Sequence, residues 1–206
     1  MLKILGRNNS VNVIKVLWCA AELGLSFDRT DIGGAFGGND QPDYLAKNPM
    51  GRVPTIDDNG LILWESQTIV RYLAAKHGVG TLWPEDLGEL AKSEIWMDWY
   101  TGHLHVPMTT IFWGLVRTAE ADRDNDAIAR AMEEAGALWS VLDLELKGKS
   151  FVHGEHLTVG DIPVGAAAFR YYSLVEDRPV MPNLDRWYAS LSERPGYKLH
   201  AMNPLS

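Results

Sequence analysis

The sequence predicts an α+β chain in two unequal parts: a small α/β unit of order β-α-β, α, β-β-α, followed by an all-helical bundle. Three observations lead there. Short strand-like runs crowd into the first 78 residues, strand signals nearly vanish after Leu82-Trp83-Pro84, and four long stretches of helical spacing follow. The charge divides at the same place. Residues 1–78 carry 8 Lys and Arg against 8 Asp and Glu, leaving 11 against 19 for the remainder, so the second part holds the whole excess behind the net charge of −8. The expected parts are residues 1–78, a linker at 79–87, and a helical part at 88–206.

Taken in order, Lys3-Ile4-Leu5 is a short strand ended by Gly6. Ser10 to Leu23 has apolar residues at 13, 14, 16, 17 and 20 and stops at Gly24, the pattern of an amphipathic helix with its C-terminal signal. Leu25 to Ile32 alternates as a second strand. The run GGAFGG at 33–38 lacks the helix-opening GxGxxG order and reads as a flexible loop. Pro42 to Lys47 is a short helix ended by Asn48-Pro49. Thr55 to Asp57 and Leu61 to Trp64, joined through Asp58-Asn59-Gly60, form a hairpin, and Gln67 to Lys76 is a helix closed by His77-Gly78. Beyond the boundary, Leu90 to Arg117, Asp126 to Leu146, Thr158 to Tyr172 and Asn183 to Leu191 have helical spacing. Thr158-Val159-Gly160-Asp161 has the spacing of a capping box, with Leu157 and Ile162 as its apolar staple.

Composition removes several classes of function. Neither part offers a basic surface for nucleic acid, and no apolar run approaches the roughly 18 residues of a membrane span. One cysteine, Cys19, leaves no internal disulfide and no multi-cysteine metal site, and it falls among Leu17, Trp18 and Ala20 where a buried thiol is expected. His103 and His105 are two apart, on different helical faces, which disfavours a metal site. Met1 to Gly6 is too short an apolar start for a secretory leader. The expectation is a cytoplasmic protein without metal.

The stretch RNNSVNVIKV at 7–16 places an arginine, three carboxamides and a hydroxyl before an apolar helical run. Short polar side chains there can cap the unpaired N–H groups of a first turn, or can join those N–H groups in facing an anion outside the chain. The same two readings apply to Glu65-Ser66 at the start of a later helix. Arg52 is either a solvated cation or a partner for a carboxylate.

Five motifs, in this order and at these distances, settle a resemblance: RNNSVNVIKVLW at 7–18, NPMGRVPTI at 48–56, WESQTIVRYLA at 64–74, LTVGDI at 157–162 and RWYASLSERPGY at 186–197. Nearly end to end, the chain resembles the glutathione S-transferases, most closely the bacterial serine-type members. That resemblance implies a thioredoxin-like first domain, a helical second domain, glutathione as co-substrate and a homodimer. It implies that Ser10 hydrogen-bonds the glutathione sulfur and favours its thiolate, with Asn12 as a second donor. It implies a cis Val53-Pro54 bond that turns the Val53 backbone toward the cysteinyl part. Glu65 would face the γ-glutamyl amino group and Ser66 its carboxylate, while Arg52, or less directly Asn39 and Gln41, would meet the glycine carboxylate. Ser10 need not itself be a nucleophile, and no histidine and acid follow it in the order of a serine hydrolase.

The second substrate, a small electrophile, would lie against the helical domain, for which His103, Met108 and Trp113 are the candidates. The implied reaction is attack of the thiolate on an electrophilic carbon. A glutathione-dependent isomerase, peroxidase or disulfide reductase, or a non-catalytic interaction module of the same fold, are the alternatives.

Overall fold

The computed structural model describes residues 1–206. Four short strands form one mixed sheet of order β2-β1-β3-β4, from β1 (Leu2–Leu5), β2 (Phe27–Thr30), β3 (Thr55–Asp58) and β4 (Leu61–Trp64). β1 runs parallel to β2 and antiparallel to β3, with Ile4 opposite Ile56, and β3 and β4 form the hairpin. Asn59 and Gly60, at φ 54° and 94°, make its two-residue turn; positive φ at both positions is the reason this Asn-Gly pair closes it. The second strand is shorter than its alternating stretch suggests, because only Phe27–Thr30 finds the β1 edge.

Helices α1 (Val11–Glu22) and α3 (Ser66–His77) pack together, while α2 (Pro42–Leu45) is a single turn started by its proline. GGAFGG is not a free loop. Gly34–Phe36 form one 3₁₀ turn, and the Arg7 side chain lies across it so closely that a Cβ on Gly34 would stand 2.9 Å from Arg7 Nε.

The helical part comprises α4 (Leu87–Trp99), α5 (His105–Phe112), α6 (Asn125–Glu145), α7 (Asp161–Leu174), α8 (Pro182–Ser192) and α9 (Pro195–His200). The stretch expected as one helix from Leu90 to Arg117 is interrupted by two π-helical turns, Tyr100–Leu104 and Trp113–Arg117. Pro107 stands two residues into α5. Its ring has no N–H and crowds the carbonyl one turn back, a conflict that a widened preceding turn relieves. α9, which periodicity alone does not announce, is a six-residue helix opened by Pro195.

The Thr158–Asp161 motif does more than a capping box. Asp161 returns the expected hydrogen bond to the Thr158 N–H at 2.9 Å, and also accepts from the Val152 N–H at 3.0 Å and from Trp187 Nε1 at 2.9 Å. The Thr158 hydroxyl accepts from Ser93 Oγ at 2.7 Å instead of capping the turn. Gly160 allows that approach, since a Cβ there would lie 2.4 Å from the Ser93 carbonyl. The buried Asp161 carboxylate thus ties α8 and the Val152 backbone to the start of α7, and the Thr158 hydroxyl joins α4 to the same turn.

A single cluster of 42 buried residues runs from Leu2 and Ile4 of the sheet to Tyr197 and Ala201 of the helical part, so the two parts share a core. α1 is the joint. Trp18, on its inner face, sits beneath Gly165, where a Cβ would come within 2.7 Å of the indole, and meets Tyr197 edge-on with ring centroids 4.8 Å apart. Its Nε1 donates to Glu22 at 2.8 Å, and Arg194 grips the same carboxylate at 3.0 and 2.6 Å.

Candidate active site

Between the sheet domain and the α5–α7 side of the bundle lies a cleft of about 410 Å³. Arg7, Ser10, Asn12, Arg52, Val53, Trp113 and Arg170 are among its lining residues, with Asn39, His105, Thr109, Phe112 and Arg117, and no carboxylate lines it. In a chain of net charge −8, four guanidinium groups therefore converge on one opening. Such a site draws anions.

Ser10 occupies the N-cap position of α1, extended at φ −84° and ψ 124°, yet its hydroxyl makes no capping hydrogen bond. The side chain that the sequence offers as a cap is thus left available to the cleft. Two residues on, Asn12 is held from behind. Its Oδ1 accepts from Lys15 Nζ at 2.9 Å and from Ser66 Oγ at 3.5 Å, which leaves its Nδ2 donors without a partner in the chain. Lys15 is buried, its ammonium 4.1 Å above the Tyr100 ring. Burial, reinforced by nearby Arg170, lowers it to about 7.

The Val53–Pro54 peptide bond is cis. Neither the N–H nor the C=O of Val53 is hydrogen-bonded within the chain, an unusual condition for backbone at a half-buried position and one that suits a peptide-like ligand. The segment is fixed from below: Tyr44 Oη and Asn48 Nδ2 both donate to the Arg52 carbonyl, at 2.6 and 2.7 Å. Arg52 itself is exposed. Asn39 lines the cleft, but its amide is spent on the Gly51 carbonyl at 2.8 Å, and Gln41 is exposed and paired with Asp40.

Glu65 and Ser66 lie beyond the lining residues, joined to them through the Ser66–Asn12 contact. Glu65 adopts φ +69°, a left-handed conformation rare for a residue with a side chain, and its carboxylate does not cap α3. Ser66 is buried as the first residue of that helix. The first N–H groups of α3 therefore have no side-chain acceptor.

Of the three residues expected against the helical domain, Trp113 lines the cleft. His103 is exposed and does not; His105 takes that place, its Nδ1 3.1 Å from Tyr100 Oη. Met108 is buried in the shared core and does not line the cleft. The π turn just before α5 sets which imidazole turns inward. Sequence reasoning missed Arg7, Lys15, Arg117 and Arg170. Arg7 and Lys15 stood inside a quoted motif, while Arg117 and Arg170 carried no local signal.

Comparison with known proteins gives the following. The family model for the glutathione S-transferase N-terminal domain matches residues 2–75, and that for the glutathione S-transferase C-terminal domain matches residues 104–195. The chain is 41% identical over 208 residues to glutathione S-transferase GstB of Escherichia coli, covering all of both chains, and 28% identical to glutathione S-transferase 3 of Zea mays, covering 96% of this chain and 91% of that one. Among solved structures it is similar to the theta class glutathione S-transferase of Xanthomonas axonopodis pv. citri with glutathione bound, with a TM-score of 0.96 and 43% identity over 100% of this chain and 99% of that one.

Proposed function

The chain belongs to the glutathione S-transferase family, and from that premise we propose how its cleft activates glutathione for attack on a small electrophile. The protein is a glutathione transferase. The observation that carries the residue assignments is the uncapped Ser10 hydroxyl at the start of α1. Placed beside the Asn12 amide and the first N–H groups of α1, the sulfur of bound glutathione meets donors that favour its anion.

A free thiol has a pKa near 8.5 and is only a few per cent ionised at neutral pH. A hydrogen bond to a charged group contributes about 1.5–3 kcal/mol, enough to lower that value by roughly one to two units. The thiol proton leaves to solvent. The sulfur electron pair then forms the bond to the electrophilic carbon, and the leaving group departs with its own pair. Ser10 donates throughout and forms no covalent bond. The chain's own thiol takes no part: Cys19 is buried, burial pushes it up, and its Sγ lies 3.9 Å from the Val70 carbonyl.

The rest of the tripeptide has a place in this scheme. The free backbone groups of Val53 receive the cysteinyl part, Glu65 and Ser66 at the α3 N-terminus receive the γ-glutamyl zwitterion, and Arg52 receives the glycine carboxylate. In the cell we place the protein in the cytoplasm as a symmetric homodimer, for which exposed Leu87 and Ile95 of α4 offer apolar surface. Residues 1–78 and 88–206 are the two proposed domains, joined by 79–87.

Glutathione-dependent turnover of halides, epoxides, peroxides and mixed disulfides tests the reaction class. Turnover of at least one, lost or slowed in Ser10→Ala, is the expected result; glutathione binding with no turnover of any would favour an interaction module. A sedimentation mass near 23.0 kDa at micromolar concentration would overturn the dimer.

A further inference from the structure

Three of the four guanidinium groups that line the cleft, those of Arg7, Arg117 and Arg170, form a cluster that the proposed binding of glutathione does not use. Arg170 is buried, its Nη2 donating to the Asn9 carbonyl at 2.9 Å, one residue before Ser10, with its Cζ 3.8 Å above the Phe112 ring. Arg117 approaches the same ring, 5.7 Å from its centroid. Arg7 reaches over the Gly34 turn from the first domain. Burial lowers both Arg7 and Arg170, and the three are close enough to add to it: Arg117 lowers each further, as Arg7 does Arg170. Like charges gathered without a carboxylate destabilise the empty site. Arg7 Nε and Arg170 Nε are moreover buried without any hydrogen-bond partner. A buried donor left unpaired costs stability, and that of Arg7, whose side chain lines the cleft, points to a ligand there, while Arg170 is committed to the Asn9 carbonyl.

That ligand lies on the electrophile's side. Arg117 and Arg170 belong to the helical part, beside Phe112 and the 58% exposed Trp113, whereas Val53, Arg52 and Glu65 belong to the sheet domain. The Arg170–Asn9 bond sets Arg170 against the backbone one residue before Ser10, in the cleft that both line. We propose that the electrophile carries a carboxylate, which Arg7 and Arg117 bind while Phe112 and Trp113 cover its apolar part. Arg170 is a positioning residue that holds the Asn9–Ser10 backbone against the cluster. The inference rests on the glutathione site proposed above.

A matched pair of probes isolates the charge. 4-Chloro-3-nitrobenzoate and 4-chloro-3-nitrobenzamide share ring and leaving group. In both, the thiolate adds at the chlorine-bearing carbon, a C–S bond forms, and chloride leaves with the C–Cl pair. Each kcat/KM is divided by the uncatalysed rate with glutathione at the same pH, and the acid-to-amide ratio is compared between wild type, Arg7→Gln and Arg117→Gln. The expected ratio in wild type is at least about tenfold in favour of the acid, falling about tenfold or more in each variant, as the loss of one charge-assisted hydrogen bond implies. Equal acceleration of both probes, or an unchanged ratio in both variants, would overturn it. Titration of the glutathione-saturated protein with unreactive 3-nitrobenzoate and 3-nitrobenzamide gives a readout independent of turnover, with tighter binding of the acid expected and equal binding contradicting the proposal. Glutathione binding with turnover of the amide alone would refute this inference and leave the transferase reading standing. Absence of glutathione binding would remove both.

Discussion

Replacing Ser10 with alanine separates its role from that of Asn12, because the two side chains are held differently. The Ser10 hydroxyl has no partner within the chain, so Ser10→Ala breaks no internal hydrogen bond and should leave the unfolding midpoint within about 0.5 kcal/mol of wild type. In the proposed site, what it removes is one donor to the thiolate. Losing about 1.5–3 kcal/mol of preference for the anion raises the bound thiol by roughly one to two pKa units and cuts the thiolate about ten- to a hundredfold at pH values below it. The rate should recover as pH rises, and glutathione affinity should change little, since the γ-glutamyl and glycine ends are held elsewhere. Asn12→Ala behaves otherwise. Its Oδ1 is the acceptor for buried Lys15, so truncation strands that group and should destabilise the fold by about 1–3 kcal/mol. Ultraviolet titration of the thiolate in the binary complex, alongside urea unfolding, reads both quantities. A Ser10→Ala complex that titrates like wild type, with the upward shift in Asn12→Ala alone, would transfer the role to Asn12 and refute the assignment.

Glu65→Ala and Ser66→Ala should each weaken glutathione binding by about 1–3 kcal/mol in calorimetric titration, because each strands a charged group of the zwitterion; unchanged affinity in both would remove the γ-glutamyl site. Lys15 is lowered in the folded chain to about 7 from 10.5, so the folded state holds fewer protons than the unfolded state between those values and stability should rise with pH across them. Lys15→Met should flatten that rise, as read by urea midpoints at pH 7, 8 and 9. Asp161→Asn keeps one acceptor but turns an amide toward the Thr158 N–H, and should cost about 2–3 kcal/mol in the same assay.

Much of the fold is legible because it rests on local rules. The Asn59-Gly60 turn, the apolar face of α1 and the Gly24 stop each need only a few neighbouring residues. Ser10, Val53, Glu65 and Ser66 stand out because their motifs recur at fixed spacing. Lys15 does not, since a lysine among Ile14, Val16 and Leu17 reads as the solvent side of the helix, whereas here it is turned under Tyr100. Arg117 and Arg170 are 53 residues apart in sequence and meet only over Phe112. Nothing local in either helix marks that meeting. The choice between His103 and His105 depends on the pitch of one π turn, which spacing by ideal helical periods cannot supply.

Helix α1 begins at the Ser10 hydroxyl and ends at the Glu22 carboxylate gripped by Arg194, with Trp18 wedged under Gly165 between them. A 12-residue rod so clamped makes the position of the Ser10 hydroxyl, and with it the proposed sulfur site, answerable to residues more than 150 positions away in the chain. The two parts are therefore matched to each other: a sheet domain bearing Trp18 and Glu22 fits a helical partner bearing Gly165, Tyr197 and Arg194, so a chimera of this sheet domain with another helical part would hold α1 in place only where these five are carried together.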